Sequence, residues 1–240
     1  MNEAMLSMRR VGRTHSKGAH RVDALVDVEL DVAPGEWVAI TGRSGSGKTT
    51  LLNLAGGLDE PTTGTVQVGG EHLADMSKTE LARLRRRSIG YVFQDYNLLP
   101  TLTAAENVAL PLELDGVGLA EARRHAEIAL QQVGLGAMPD RYPDQLSGGE
   151  QQRVAIARGI VGPRTLLLAD EPTGALDDLT SESILKILRA RCDDGAAAIM
   201  VTHEPSFAAW ADRVVRLRDG RIESVTEGSK IPPNLAELRA

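Results

Sequence analysis

The chain has 240 residues, 25% of them charged and 42% hydrophobic, the composition of an ordinary globular domain able to bury a sizeable core. Its net charge of -6 offers no global basic field for nucleic acid, and the single cysteine, Cys192, excludes an intramolecular disulfide and fits a reducing compartment. No leader-like apolar segment opens the chain, and no run approaches the roughly 18–20 apolar residues of a bilayer span, so the expectation is a soluble cytosolic protein that needs another polypeptide for any work at a membrane.

Residues Leu25 to Val32 alternate Val26, Val28, Leu30 and Val32 with Asp27, Glu29 and Asp31, which predicts a half-exposed antiparallel strand. Pro34-Gly35 turns the chain into an apolar strand, Trp37–Ile40. That strand runs into Gly42-Arg43-Ser44-Gly45-Ser46-Gly47-Lys48-Thr49, and a helix from Thr50 through Ala55, stopped by Gly56-Gly57, runs out. The segment fits G-x-x-x-x-G-K-[ST] in the strand–loop–helix context the motif requires. Its glycines let successive N–H groups turn inward on an anion, and the helix start adds partial positive charge. Lys48 can reach β- and γ-phosphates, and the Thr49 hydroxyl can ligate Mg²⁺. Residues 42–50, Thr50 included, are therefore expected to bind a nucleotide.

Thr65–Val68 reads as a short strand closed by Gly69-Gly70. A capping box at Ser77 to Glu80 opens a helix through about Arg87, with Arg85-Arg86-Arg87 expected on a solvated face. Ile89–Phe93 is a buried-looking strand with Gln94 at its end. A second capping box, Thr103 to Glu106, starts a helix expected to reach Pro111. Leu119–Val133 and Gly148 to about Ile160 are helical as well. Three helices with no strand between them predict a helical subdomain, roughly 97–160, inserted into an α/β core. The α/β rhythm resumes with Thr165–Ala169, a helix over Thr180–Arg191, a strand over Ala196–Thr202 and a short helix over Ser206–Ala211. Arg213–Leu217 and Arg221–Val225 flank Asp219-Gly220, a hairpin signal. The whole chain, 1–240, reads as one domain with a tail after Gly228.

Two further segments carry chemistry. Leu166–Ala169 delivers Asp170 and Glu171 beside the phosphate loop, where one carboxylate can hold Mg²⁺ and the other can polarise a water. Ser147-Gly148-Gly149 opens a helix with N–H donors and a hydroxyl, a second potential anion site. One bound nucleotide does not need two such sites from one chain, but two facing copies would use both.

With these motifs the chain resembles the ATP-binding-cassette (ABC) ATPases, the nucleotide-binding subunits of ABC transporters, from about Leu6 to Glu223. The resemblance implies a P-loop NTPase fold: a RecA-like α/β core, an antiparallel β-subdomain and the inserted helical subdomain. It implies ATP and Mg²⁺ as cofactors, with ATP sandwiched between two copies. Leu146–Arg153 matches the signature motif, so that Ser147, Gly148 and Gly149 complete the partner's site. Asp170 matches the aspartate that coordinates Mg²⁺, Glu171 the general base, Gln94 the Q-loop residue near metal and water, Ala175-Leu176-Asp177 the D-loop, and His203 the switch histidine. The catalytic set is thus Glu171, His203, Gln94 and Lys48, and the metal set Thr49, Gln94 and Asp170. Two positions depart from the pattern. By register His15, or with a shifted loop Val22, stands where the family stacks an aromatic ring on adenine, and Glu204 replaces the usual aspartate after the switch histidine.

Tyr91–Pro100, Glu106-Asn107-Val108 and Ala169–Asp177 are similar to the MacB and LolD group of lipoprotein-release and macrolide or peptide export ATPases. That similarity implies an integral membrane permease with a large extracytoplasmic domain as partner, and attachment to the inner face of the cell membrane. The alternative within the family is an ATPase that regulates cell-envelope or cell-division enzymes through a membrane partner and moves no cargo. Relatives acting on DNA or ribosomes carry a long coiled-coil insertion or two cassettes; this chain has neither and is acidic, so no nucleic-acid partner is expected.

Overall fold

The computed structural model describes residues 4–17 and 20–228. The tail after Gly228, with Pro232-Pro233, lies outside the described residues. Two sheets organise the chain. The first is antiparallel, built from β1 (Leu6–Lys17), β2 (His20–Val32), β4 (Thr63–Val68) and β5 (Glu71–His72) in the order β2-β1-β4-β5. The second runs β10-β9-β3-β8-β7-β6, with β3 (Trp37–Thr41), β6 (Ile89–Val92), β7 (Leu166–Asp170), β8 (Ala197–Val201) and β9 (Arg213–Arg218) parallel. Strand β10 (Arg221–Glu227) closes its edge as an antiparallel hairpin. Asp219 and Gly220 at the hairpin tip both have positive φ (48° and 75°), as a two-residue primed turn requires.

The central strands are continuous apolar runs because the large sheet is covered on both faces. Successive residues along each strand serve opposite cores: Trp37 and Ala39 join the core under the helices, while Val38 and Ile40 join the one under the antiparallel sheet. The helical side gathers α3 (Ala104–Glu113), α4 (Leu119–Gln132), α5 (Gly148–Ile160), α6 (Asp178–Asp193) and α7 (Pro205–Ala208). The other side holds α1 (Lys48–Ala55) and the small sheet, with α2 (Lys78–Arg87) leaning on it through Leu81 and Leu84. Both expected capping boxes form: Ser77 with Glu80, and Thr103 with Glu106, the carboxylate accepting from each cap N–H at 2.7 Å.

Several expectations are corrected. Strand β1 was not foreseen, because Leu6, Met8 and Val11 break period two at a bulge where Arg10 has φ 48°. A matching bulge at Asp27 (φ 53°) slips the alternation of β2, so Leu25 is buried and Val26 only half-buried. Helix α3 runs through Pro111 to Glu113, since only the bond from residue 111 to Asn107 is lost and Leu112 still packs into the core. The Arg85–Arg87 run is not simply a solvated face. Arg85 donates to the Gly57 carbonyl at 2.7 Å, Arg86 is half-buried, and Arg87 pairs with Asp115 at 2.8 Å.

Candidate active site

In the order β3-β8-β7-β6 the C-terminal ends of four parallel strands lie side by side. They deliver, in turn, the loop 42–47, His203, Asp170 with Glu171, and Gln94. The edge outside the carboxyl ends of parallel strands is where open α/β sheets bind ligands.

The loop is held open by glycine geometry. Gly47, at φ 100°, caps α1, and a Cβ there would overlap the Ala24 carbonyl oxygen of β2; one on Gly42, at φ 150°, would overlap the Leu217 carbonyl oxygen of β9. The loop is thus wedged between the small sheet and the C-terminal hairpin, and the Gly220 N–H ties it down by donating to Ser46 O at 3.2 Å. A cavity of about 310 Å³ lies between residues 42–46 and 216–219.

Three observations show that the loop fits a polyphosphate. Helix α1 has no side-chain cap, so the N–H groups of Lys48, Thr49 and Thr50 have no acceptor within the helix. Ser46 is 5% exposed, and its buried hydroxyl has no hydrogen-bond partner among the described residues. Lys48 folds back on its own loop, its Nζ donating to the carbonyls of Gly42 and Arg43 at 2.9 Å each, so its charge is held among the anion-directed N–H groups.

Beside the loop, Thr49 Oγ1 donates to Asp170 Oδ2 at 2.7 Å. Asp170 is 3% exposed, and burial pushes its carboxyl above the ordinary value, partly offset by the Thr49 bond. A hydroxyl and a carboxylate in contact are hard oxygen donors of the kind Mg²⁺ takes together with substrate phosphates. Among the described residues no group of three or more His, Cys, Asp or Glu side chains is placed to hold a metal ion. Glu171 follows at φ 49°, in a region costly for a non-glycine residue, and its N–H donates to Val201 O at 3.0 Å. Its carboxylate meets His203 Nδ1 at 2.9 Å, and this bond raises the histidine pKa. Gln94 is exposed in the turn beyond β6. Loop residues Arg43, Ser44 and Gly45 are exposed as well.

The remaining predicted residues stand apart. Ser147 caps α5, and Ser147 with Glu150 forms a third capping box, which the sequence analysis had not singled out. The Ser147 hydroxyl accepts from Glu150 N at 3.3 Å, a bond that takes up the Glu150 N–H but does not use the hydroxyl's own O–H. Gly148 remains exposed, and Gly149 lies against Ala175 and Leu176, not against the loop of its own chain. Asp177 caps α6 through Thr180, which lowers its pKa. His15 lies exposed on β1 opposite Val22, which is 62% exposed.

Sequence reasoning missed Tyr91, whose hydroxyl donates to Asn53 Oδ1 at 2.8 Å. It also missed Arg158, which donates to two loop carbonyls beyond Gln94. Tyr91 stands only as the first residue of the Tyr91–Pro100 stretch that carries the resemblance, and Arg158 lies in no motif quoted from the sequence.

Residues 25–174 match the family model described as ABC transporter. An uncharacterized ABC transporter ATP-binding protein, YknY of Bacillus subtilis, is 46% identical over 94% of this chain and 98% of its own length. A macrolide export ATP-binding/permease protein, MacB 1 of Yersinia pestis, is 45% identical over 97% of this chain, which spans 36% of that longer protein. Among solved structures, the dimeric ATP-binding cassette MJ0796 in a post-hydrolysis state with ADP and Pi matches with a TM-score of 0.90. It is 40% identical and covers 95% of this chain and all of that one.

Proposed function

The chain belongs to the ABC transporter family as one of its ATPases, and from that premise we propose that it powers a separate membrane permease as an ATP-sandwich dimer. One observation carries the dimer. The phosphate loop, Asp170, Glu171, Gln94 and His203 share one sheet edge, while Ser147 and Gly148, which start α5, are exposed to solvent on a different helix. Two copies arranged head to tail join each loop to the other's Ser147 turn.

In this mechanism Lys48 and the N–H groups of the loop bind the β- and γ-phosphates, and His203 steadies the γ-phosphate. Thr49, Asp170 and Gln94 would hold Mg²⁺, which would supply positive charge to offset that of the phosphates. Glu171 accepts the proton of the attacking water, and until then its carboxylate is held by His203. His15 packs on adenine, and Asp177 reaches across the dimer.

The permease is supported by a groove of about 360 Å³ between α2 and α3, with Ile89, Leu110 and Leu114 on its apolar lining and Arg85, Arg86 and Arg164 around it. Leu114 is 61% exposed there. Among the described residues no helix is long and apolar enough to cross a membrane, so a membrane partner would have to dock on such a face. The name of the MacB relative, which joins ATP-binding and permease functions, supports the same partner. The protein then works on the cytoplasmic face of the membrane. Tagged Glu171→Gln protein with MgATP, recovered from detergent-solubilised membranes of its host, should bring down an integral membrane protein, and Leu114→Asp should lose it. Recovery of soluble, ribosomal or DNA-bound partners alone would overturn the transport reading.

A further inference from the structure

Beyond Val92 the chain turns through Gln94 and Asp95 and then places Tyr96 (φ 58°) and Asn97 (φ 49°) consecutively in the left-handed region. For two adjacent non-glycine residues this is an unfavourable path, sustained only by its surroundings. The guanidinium of Arg158 supplies them. Its Nη2 donates to Tyr96 O and its Nη1 to Asn97 O, both at 2.6 Å. Among the described residues no carboxylate offsets the desolvation that lowers the Arg158 pKa. A half-buried cation is thus committed to the carbonyls of the two left-handed residues.

Arg158 sits in the last turn of α5, and the position of that helix is closely fixed. A Cβ on Gly90 of β6 would overlap the Gly159 carbonyl oxygen, so helix and strand cross backbone on backbone. At the other end of α5, a Cβ on Gly148 would lie 3.6 Å from the Tyr96 hydroxyl. Tyr96 therefore has its backbone bound at the C-terminal end of α5 and its ring tip at the N-terminal end, beside Ser147. The loop is laid along the helix.

We infer that Arg158 is a positioning residue for hydrolysis: it locks the segment after Gln94 onto α5, so that Gln94 and the Ser147–Gly149 turn are placed as one unit. The inference rests on the reading that Gln94 serves the hydrolytic site and goes beyond it by naming what sets the position of Gln94. Arg158 touches neither the phosphate loop nor Glu171 among the contacts described, so its effect should fall on turnover and not on nucleotide binding.

The test is a double-mutant cycle on the full chain, with kcat and KM measured for MgATP turnover. Arg158→Ala should lower kcat about tenfold or more, as expected for loss of two charge-assisted bonds, with KM within about twofold of wild type. In a Gln94→Ala background it should cost nothing further. Asn97→Gly, which relieves a left-handed residue, should restore part of the kcat lost in Arg158→Ala. Arg158→Lys, able to serve one carbonyl at a time, should fall between, and it carries the same cycle if the alanine variant does not fold. Equal losses in the wild-type and Gln94→Ala backgrounds, or a raised KM with unchanged kcat, would overturn the positioning role alone. Wild-type turnover by Gln94→Ala would overturn the Gln94 assignment and the inference with it.

Discussion

Replacing Thr49 by Val tests the Thr49–Asp170 contact with almost no change of shape. The variant removes the one hydroxyl that donates to Asp170 Oδ2, at 2.7 Å, and leaves a carboxylate that is 3% exposed. Hydrogen bonds to charged groups contribute about 1.5–3 kcal/mol net, and the open Thr49 side places this one near the lower end, about 1.5 kcal/mol. For a chain of this size that corresponds to a fall in Tm of about 3–6 °C. The pH dependence has a definite sign. Burial holds the Asp170 pKa above its unfolded value, so the folded chain binds a proton that the unfolded chain has released. Stability therefore falls as pH rises through the window between the two values and is level above it. Losing the Thr49 donor lifts the folded value further and widens that window upward. Wild type and Thr49→Val should differ most at neutral pH and converge as the pH falls below the unfolded value of about 3.9, where the carboxyl is protonated in folded and unfolded chains alike. Urea unfolding at several pH values reads this as a shift in midpoint at constant m. A variant as stable as wild type at pH 7, or a gap that widens on acidification, would refute the reasoning.

Other outcomes follow from the same contacts. Gly90→Ala should destabilise the fold by about 3 kcal/mol, at the upper end for overpacking, because the added Cβ meets the backbone of Gly159; an unchanged urea midpoint would contradict the crossing. His203, paired with Glu171, should titrate above the ordinary value of about 6.5 in an NMR titration and move back toward it in Glu171→Gln. Whatever stability that pair contributes is fully present below the unfolded pKa and lost as pH rises through the folded one; with His203 74% exposed, solvent screening keeps it small. Cys192 is 1% exposed with its thiol pushed up to about 12 by burial, so a thiol reagent at neutral pH should label it only after unfolding.

What the sequence disclosed followed the strength of local signals. The phosphate loop was legible because strand, glycines, lysine and helix are contiguous, and Asp170-Glu171 because an apolar strand delivers both. The capping boxes at Ser77 and Thr103 could be read, and the one at Ser147 by the same rule, had Glu150 been weighed as a cap and not only as part of a motif. Strand β1 was hidden because a bulge at Arg10 breaks its alternation, and a bulge is fixed by pairing with β2 and β4, not by residues nearby. Pro111 suggested a helix end, yet tertiary packing of Leu112 carried α3 onward. Arg158 was invisible for a different reason. Its partners are backbone carbonyls some sixty residues earlier, and a carbonyl has no letter in a sequence.

The central claim is that Glu171 is the base of an ATPase whose site is completed by a second copy. Sedimentation of Glu171→Gln with and without MgATP, with turnover measured on the same preparation, tests it most directly. The account predicts loss of turnover and a dimer that forms with ATP and disperses once the nucleotide is removed. A chain that stays monomeric with ATP bound, or that hydrolyses at the wild-type rate, would contradict it.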